Sequence, residues 1–163
     1  MKPLWYFLLT IILFSFSSFQ SPYNRNVLGS VFHRIEELKL FKDYKELGGY
    51  VLKPVAENYC LAYIGKGNHI VILFEKIIKN GKEPKFRLLD TVIVEKLESR
   101  QTILLGQARH NGQDDDRIVA LVKSEIINGY FKKVYKAWRA NKLSGKLENI
   151  SVNGIDCFED GED

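Results

Sequence analysis

Between residues 59 and 123 the chain is cut into short β-branched and aromatic runs by connections only a few residues long. Residues 59–64 and 69–78 are two such runs, joined by Gly65-Lys66-Gly67-Asn68. Asn80-Gly81 follows, a dipeptide in which both residues tolerate positive φ and which marks a tight turn. Residues 86–97, 102–109 and 117–123 continue the pattern, with a polar loop at 110–116. Parallel neighbours need crossovers of a dozen or more residues, so connections this short permit only antiparallel pairing. The spacing predicts an antiparallel meander of about five or six strands.

The flanks change period. Leu28, Val31, Phe32, Ile35 and Leu38 follow the i, i+3, i+4, i+7 rule, with Arg34, Glu36, Glu37 and Lys39 on the other side. Gly48-Gly49 supplies a helix stop, so 27–47 reads as an N-terminal helix. Residues 50–56 form a short run containing Pro54, suited to an edge strand. Towards the other end, Tyr130, Phe131, Val134, Tyr135 and Trp138 lie on one helical stripe, with Asn128 as N-cap and Ser144-Gly145 as the stop. Residues 147–152 add one strand. The reading is an α+β fold, the meander carrying an N-terminal helix and a C-terminal amphipathic helix packed on one face.

Residues 1–20 have the form of a secretory signal peptide: Met1-Lys2, then an apolar run from Leu4, then Ser15, Ser17, Ser18 and Gln20. The run is shorter than the roughly 20 apolar residues that cross a bilayer, so no integral span is expected after cleavage. Residues 21–26 read as a linker, 27–157 as a single domain, and 158–163 as an acidic flexible tail. The implied location is periplasmic or extracellular. The net charge of +4 makes the chain mildly basic, which favours solubility and names no partner. Cys60 and Cys157 are the two cysteines, an even count that in an exported chain predicts a disulfide. Closing a loop of about 100 residues, that bridge would add roughly 4–5 kcal/mol by the chain-entropy argument.

Two surface features can be singled out. Lys132, Lys133, Lys136 and Arg139 form a basic face opposite the aromatic stripe, a possible interaction surface for anionic lipid or envelope phosphate. The alternative is an ordinary solvated helix face over a core stripe. His110, Asp114, Asp115 and Asp116 sit in the polar loop and could contact a partner. The acidic run departs from the EF-hand pattern and reads as a solvated hairpin loop. Gly65-Lys66-Gly67 lacks the phosphate-loop frame, and His33, His69 and His110 have no metal-ligand spacing. No metal, no cofactor and no nucleic acid is implied, and no catalytic signature appears. Asn149-Ile150-Ser151 is a glycosylation sequon, relevant in a eukaryotic source.

The stretch Lys136-Ala137-Trp138-Arg139-Ala140-Asn141, through Ser144-Gly145-Lys146-Leu147-Glu148, to Gly154-Ile155-Asp156-Cys157 is similar to the C-terminal end of small exported bacterial proteins of unknown function. The resemblance implies a bacterial envelope setting and transfers no functional residue. The leading functional expectation is an exported, non-enzymatic binding domain for a protein or cell-envelope component. Two alternatives stand beside it. One is an immunity or inhibitor protein against a toxin or hydrolase, which would present a protruding loop or an exposed apolar patch. The other is a small enzyme with dispersed site residues, which would gather polar groups of shifted pKa in one cleft.

Overall fold

The computed structural model describes residues 27–159. The expected signal peptide, the linker and the tail beyond Glu159 lie outside the described residues. Fourteen strands follow in chain order: β1 (Val31–Phe32), β2 (Lys45–Val51), β3 (Tyr59–Lys66), β4 (His69–Ile78), β5 (Lys85–Val94), β6 (Gln101–Leu105), β7 (Ala108–His110), β8 (Gln113–Asp114), β9 (Ile118–Lys123), β10 (Ile126–Ile127), β11 (Tyr130–Phe131), β12 (Val134–Asn141), β13 (Lys146–Ile150) and β14 (Ile155–Cys157). Helical structure among the described residues is confined to two 3-10 turns, Ile35–Glu37 and Val55–Glu57. The first sheet orders β1-β5-β4-β3-β2, the second β13-β12-β9-β6 and the third β14-β7-β8, while β10 and β11 form a ribbon. Every ladder is antiparallel.

The α+β expectation is therefore corrected to a nearly all-β fold. The antiparallel meander is present as β2 to β5, but neither flanking helix exists. The C-terminal stripe is strand β12. Val134 pairs with Val122 and Lys136 with Leu121, leaving Tyr135 as the extra residue of a bulge. A bulge breaks two-residue alternation, so apolar positions fall three and four apart and imitate a helix. The N-terminal segment winds through β1 and a 3-10 turn over the outer face of the first sheet. Its entry is pinned by backbone bonds Gly29 N–H to Leu88 O (2.7 Å) and Leu88 N–H to Ser30 O (3.0 Å). Gly48-Gly49 does not stop a helix; it lies inside β2, where a Cβ on Gly48 would stand 2.6 Å from the Tyr63 ring.

The layers explain the continuous apolar runs. Ile70, Ile72 and Phe74 of β4 face the second sheet, meeting Val119, Leu121, Trp138 and Leu147. Val71 and Leu73 face the opposite way, against Phe32, Ile35 and Phe41 of the N-terminal segment. β9 is likewise covered twice: Val119 and Leu121 meet the first sheet, Ile118, Ala120 and Val122 meet Ala108, Ile155 and Cys157 of the third. Strands buried on both faces read as unbroken hydrophobic sequence. The stack is N-terminal segment, first sheet, second sheet, third sheet. No helix among the described residues is long and apolar enough to cross a membrane.

This layering corrects the cysteine expectation. Both thiols are free and buried. Cys60 shares a face with Ala62 and Ile64, towards the N-terminal segment, because strand side chains repeat every two residues. Cys157 packs beneath the second sheet with Ala108 and Ile118. The second sheet lies between the strands that carry them, and sheets pack about 10 Å apart face to face, which exceeds the reach of a disulfide.

Candidate functional site

Hollows among the described residues include a groove of about 1100 Å³ along β5, β12 and β13, lined by Lys96, Lys136, Lys146 and other polar groups, and a smaller, mainly apolar cavity of about 510 Å³ on the outer face of the first sheet, between the meander and the N-terminal segment. Sequence creates the smaller cavity directly. On the cavity-facing side, β2 contributes Gly49 and β3 contributes Ala62, directly opposite each other in the ladder. Two small residues side by side leave room that Ile35, Ile64, Leu73 and Phe86 wall in. The Phe32 and Phe86 rings pack 6.1 Å apart at one side. Val51 and Val55, both exposed, carry apolar lining out to the mouth.

Cys60 and Glu75, paired across β3 and β4, also line this cavity. Glu75 is 4% exposed, and its hydrogen bond comes from the Cys60 thiol, which donates from Sγ at 3.5 Å to Oε2. Burial pushes the Glu75 carboxyl up to about 7; the Cys60 bond opposes this and nearby Glu46 adds to it. Burial also raises the Cys60 thiol far above its ordinary range, helped by the charge of Glu75 and the bond to it. A thiol held protonated is not a nucleophile, so Cys60 serves as a weak donor and an apolar filler. His33 stands at the rim, its Nδ1 3.3 Å from the Pro84 carbonyl.

The residues singled out from sequence lie elsewhere and are mostly committed to partners. Lys132 pairs with Glu125 at 2.9 Å, and Lys123 pairs with the same carboxylate. Those two bonds hold Glu125 down at about 2. Lys133 sits 4.8 Å over the Tyr135 ring. Lys136 is exposed and lines a groove between β5 and β13. Arg139 turns to the opposite face of β12, where its Nη2 donates to His110 Nδ1 at 3.0 Å. With the helix gone, these four cations do not share a continuous face.

The loop residues form a structural staple. Asp115 accepts a bidentate pair from Arg117, Nε at 2.8 Å and Nη2 at 3.0 Å. Arg139 Nε approaches the same carboxylate at 2.9 Å as an ion pair outside hydrogen-bond geometry. Burial acts to raise the Asp115 carboxyl, but the Arg117 bonds and charge with Arg139 outweigh it and hold the group below its usual range. Asp116 Oδ2 accepts the Lys53 amide, tying the loop to the end of β2. Asp114 pairs with Arg109 at 3.4 Å, and that guanidinium lies over the Tyr130 and Phe158 rings at 5.4 and 5.1 Å. Phe158 itself bridges to Tyr130. Among the described residues, no group of three His, Cys, Asp or Glu side chains could hold a metal ion.

Sequence reasoning missed Glu75. Its signal is present: an acid at the period-two position after Val71 and Leu73, inside a run apolar on both faces. Read as a strand buried on both sides, that run demands an account of its one carboxylate. No family model matches the chain, and comparison with curated proteins and with solved structures found no significant match.

Proposed function

We propose that the chain is an exported, non-enzymatic binding domain whose ligand enters the cavity on the outer face of the first sheet. The observation that carries the reading is the cavity itself: about 510 Å³, apolar in its walls, with one buried carboxylate in its lining. Ligand sites are commonly concave, of roughly 300–1,000 Å³, mostly apolar and furnished with a few polar groups that fix orientation. The leader at residues 1–20 supports export, and an envelope-derived small molecule fits that setting. The protonated thiol of Cys60 argues against covalent catalysis there.

The test is to fill the cavity. Gly49 has an ordinary backbone conformation, and a Cβ there meets nothing closer than 3.6 Å. Gly49→Leu should fold and occupy the space, and Ala62→Leu fills it from the neighbouring strand. A panel of eight-carbon amphiphiles should raise the melting temperature of the parent chain and have little effect on either variant. Equal responses in all three proteins would place binding outside this cavity.

A further inference from the structure

We infer that the cavity takes a protonated amine carried on an apolar body, with the Glu75 carboxylate as its counter-ion. The inference deepens the binding reading above and rests on it.

Among the described residues the fold takes the carboxylates of Asp90, Asp115 and Glu75 largely out of water. Asp90 is 8% exposed; its Oδ2 accepts the Leu147 amide at 2.8 Å, and Lys146 stands 3.7 Å from Oδ1. Asp115 is held by Arg117 and Arg139. Glu75 is the most deeply buried of the three residues, and no Lys, Arg or His comes within ion-pair distance of it among the described residues. Its hydrogen bond comes from a thiol, a weak donor, whereas a carboxylate offers about four acceptor sites. A buried charge persists when something pairs with it. Elsewhere the protein supplies that partner from its own chain; at Glu75 it supplies a cavity.

The surroundings specify the partner's chemistry. Glu36 and Glu46 line the same space and offset Arg34 and Lys79, and the charge that acts on Glu75 is the negative one of Glu46, so a cationic head is favoured at that end of the cavity. Arg34 and Lys79 also line the cavity, yet neither pairs with Glu75. The donor set for a metal ion is lacking among the described residues, so the cation is organic. Ile35, Ile64, Leu73 and Phe86 suit an alkyl or aryl body, and an ammonium head supplies three N–H donors to a carboxylate that has one weak donor.

Calorimetric titration at pH 8 of the full chain with octylammonium, octanol and octanoate tests this. Octylammonium should bind at least about tenfold more tightly than octanol, as expected for charge-assisted bonds in a desolvated site. Octanoate should bind most weakly. In Glu75→Gln the preference for the amine over the alcohol should fall to about one, while retained octanol binding reports an intact cavity. Equal affinity for amine and alcohol in the parent chain, or a preference that survives Glu75→Gln, overturns the inference. Binding of all three probes that is unaffected by Gly49→Leu, or no binding at all, instead overturns the cavity reading on which it rests.

Discussion

Glu75→Gln should flatten the pH dependence of folding stability. In the folded chain the Glu75 carboxyl ionises at about 7, against an ordinary glutamate value of 4.5. The folded state therefore holds its proton more tightly than the unfolded state does. Stability from this group is fully present below about pH 4.5, declines as pH rises towards 7, and is lost above it. The gap between 4.5 and about 7, at about 1.4 kcal/mol per pH unit, sets an upper bound of about 3–4 kcal/mol, which solvent admitted by the cavity lowers. Glutamine keeps the shape and carries no titrating proton. Denaturant unfolding, followed by the fluorescence of Trp138 buried between the first two sheets, should be run from pH 4.5 to pH 8.5. The stability of the variant minus that of the parent should rise with pH by about 2–3 kcal/mol, nearly all of it below pH 8. A difference constant across that range would refute the assignment of Glu75 as a buried, unpaired acid.

Trp138→Ala should cost about 3–5 kcal/mol, because Trp138 fills the core between the first and second sheets, whereas exposed Lys136→Glu should change stability by less than about 0.5 kcal/mol; paired thermal melts decide it. Gly106→Ala should destabilise by about 2 kcal/mol or more, since φ is +72° and a Cβ would stand 2.6 Å from the Tyr50 ring. Gly67→Ala, at φ +60° in open space, should cost only about 1 kcal/mol, and a similar loss at both sites would contradict the Tyr50 packing. In denaturant without reductant, two thiols per chain should react with a thiol reagent, matching the two free cysteines. In the folded chain both should react at least about a hundredfold more slowly, burial having raised Cys60 and pushed Cys157 up to about 12. Absence of reactive thiol after unfolding would restore the disulfide.

What was legible in the sequence is what depends on near neighbours. The expected run 69–78 is strand β4, His69–Ile78, and Gly67-Asn68 turns the chain back into it with positive φ at Gly67. Such hairpins are set by a turn residue and an alternating run, both local. The 117–123 and 147–152 runs likewise appear as β9 and β13. Trp138 is buried as an aromatic stripe implies, although the stripe is a strand.

Tertiary structure decided the rest. A bulge at Tyr135 depends on the register between β12 and β9, and the same spacing of apolar residues fits a helix when the partner strand is unknown. The N-terminal segment takes its shape from the sheet it covers: Phe32 and Ile35 reach the outer face of the meander without a helix between them. Cysteine count and the expected compartment suggested a bridge, but which core each thiol enters follows from the stacking of layers. The cavity at Glu75 is the same kind of fact. The acid, the small residues Gly49 and Ala62 and the phenylalanine wall are separate letters in the chain. Sequence alone determined that the chain makes antiparallel strands at these turns, because a hairpin costs only local entropy. Packing between distant strands determined which side chains were left facing a common space, because that requires contacts whose partners no local pattern names.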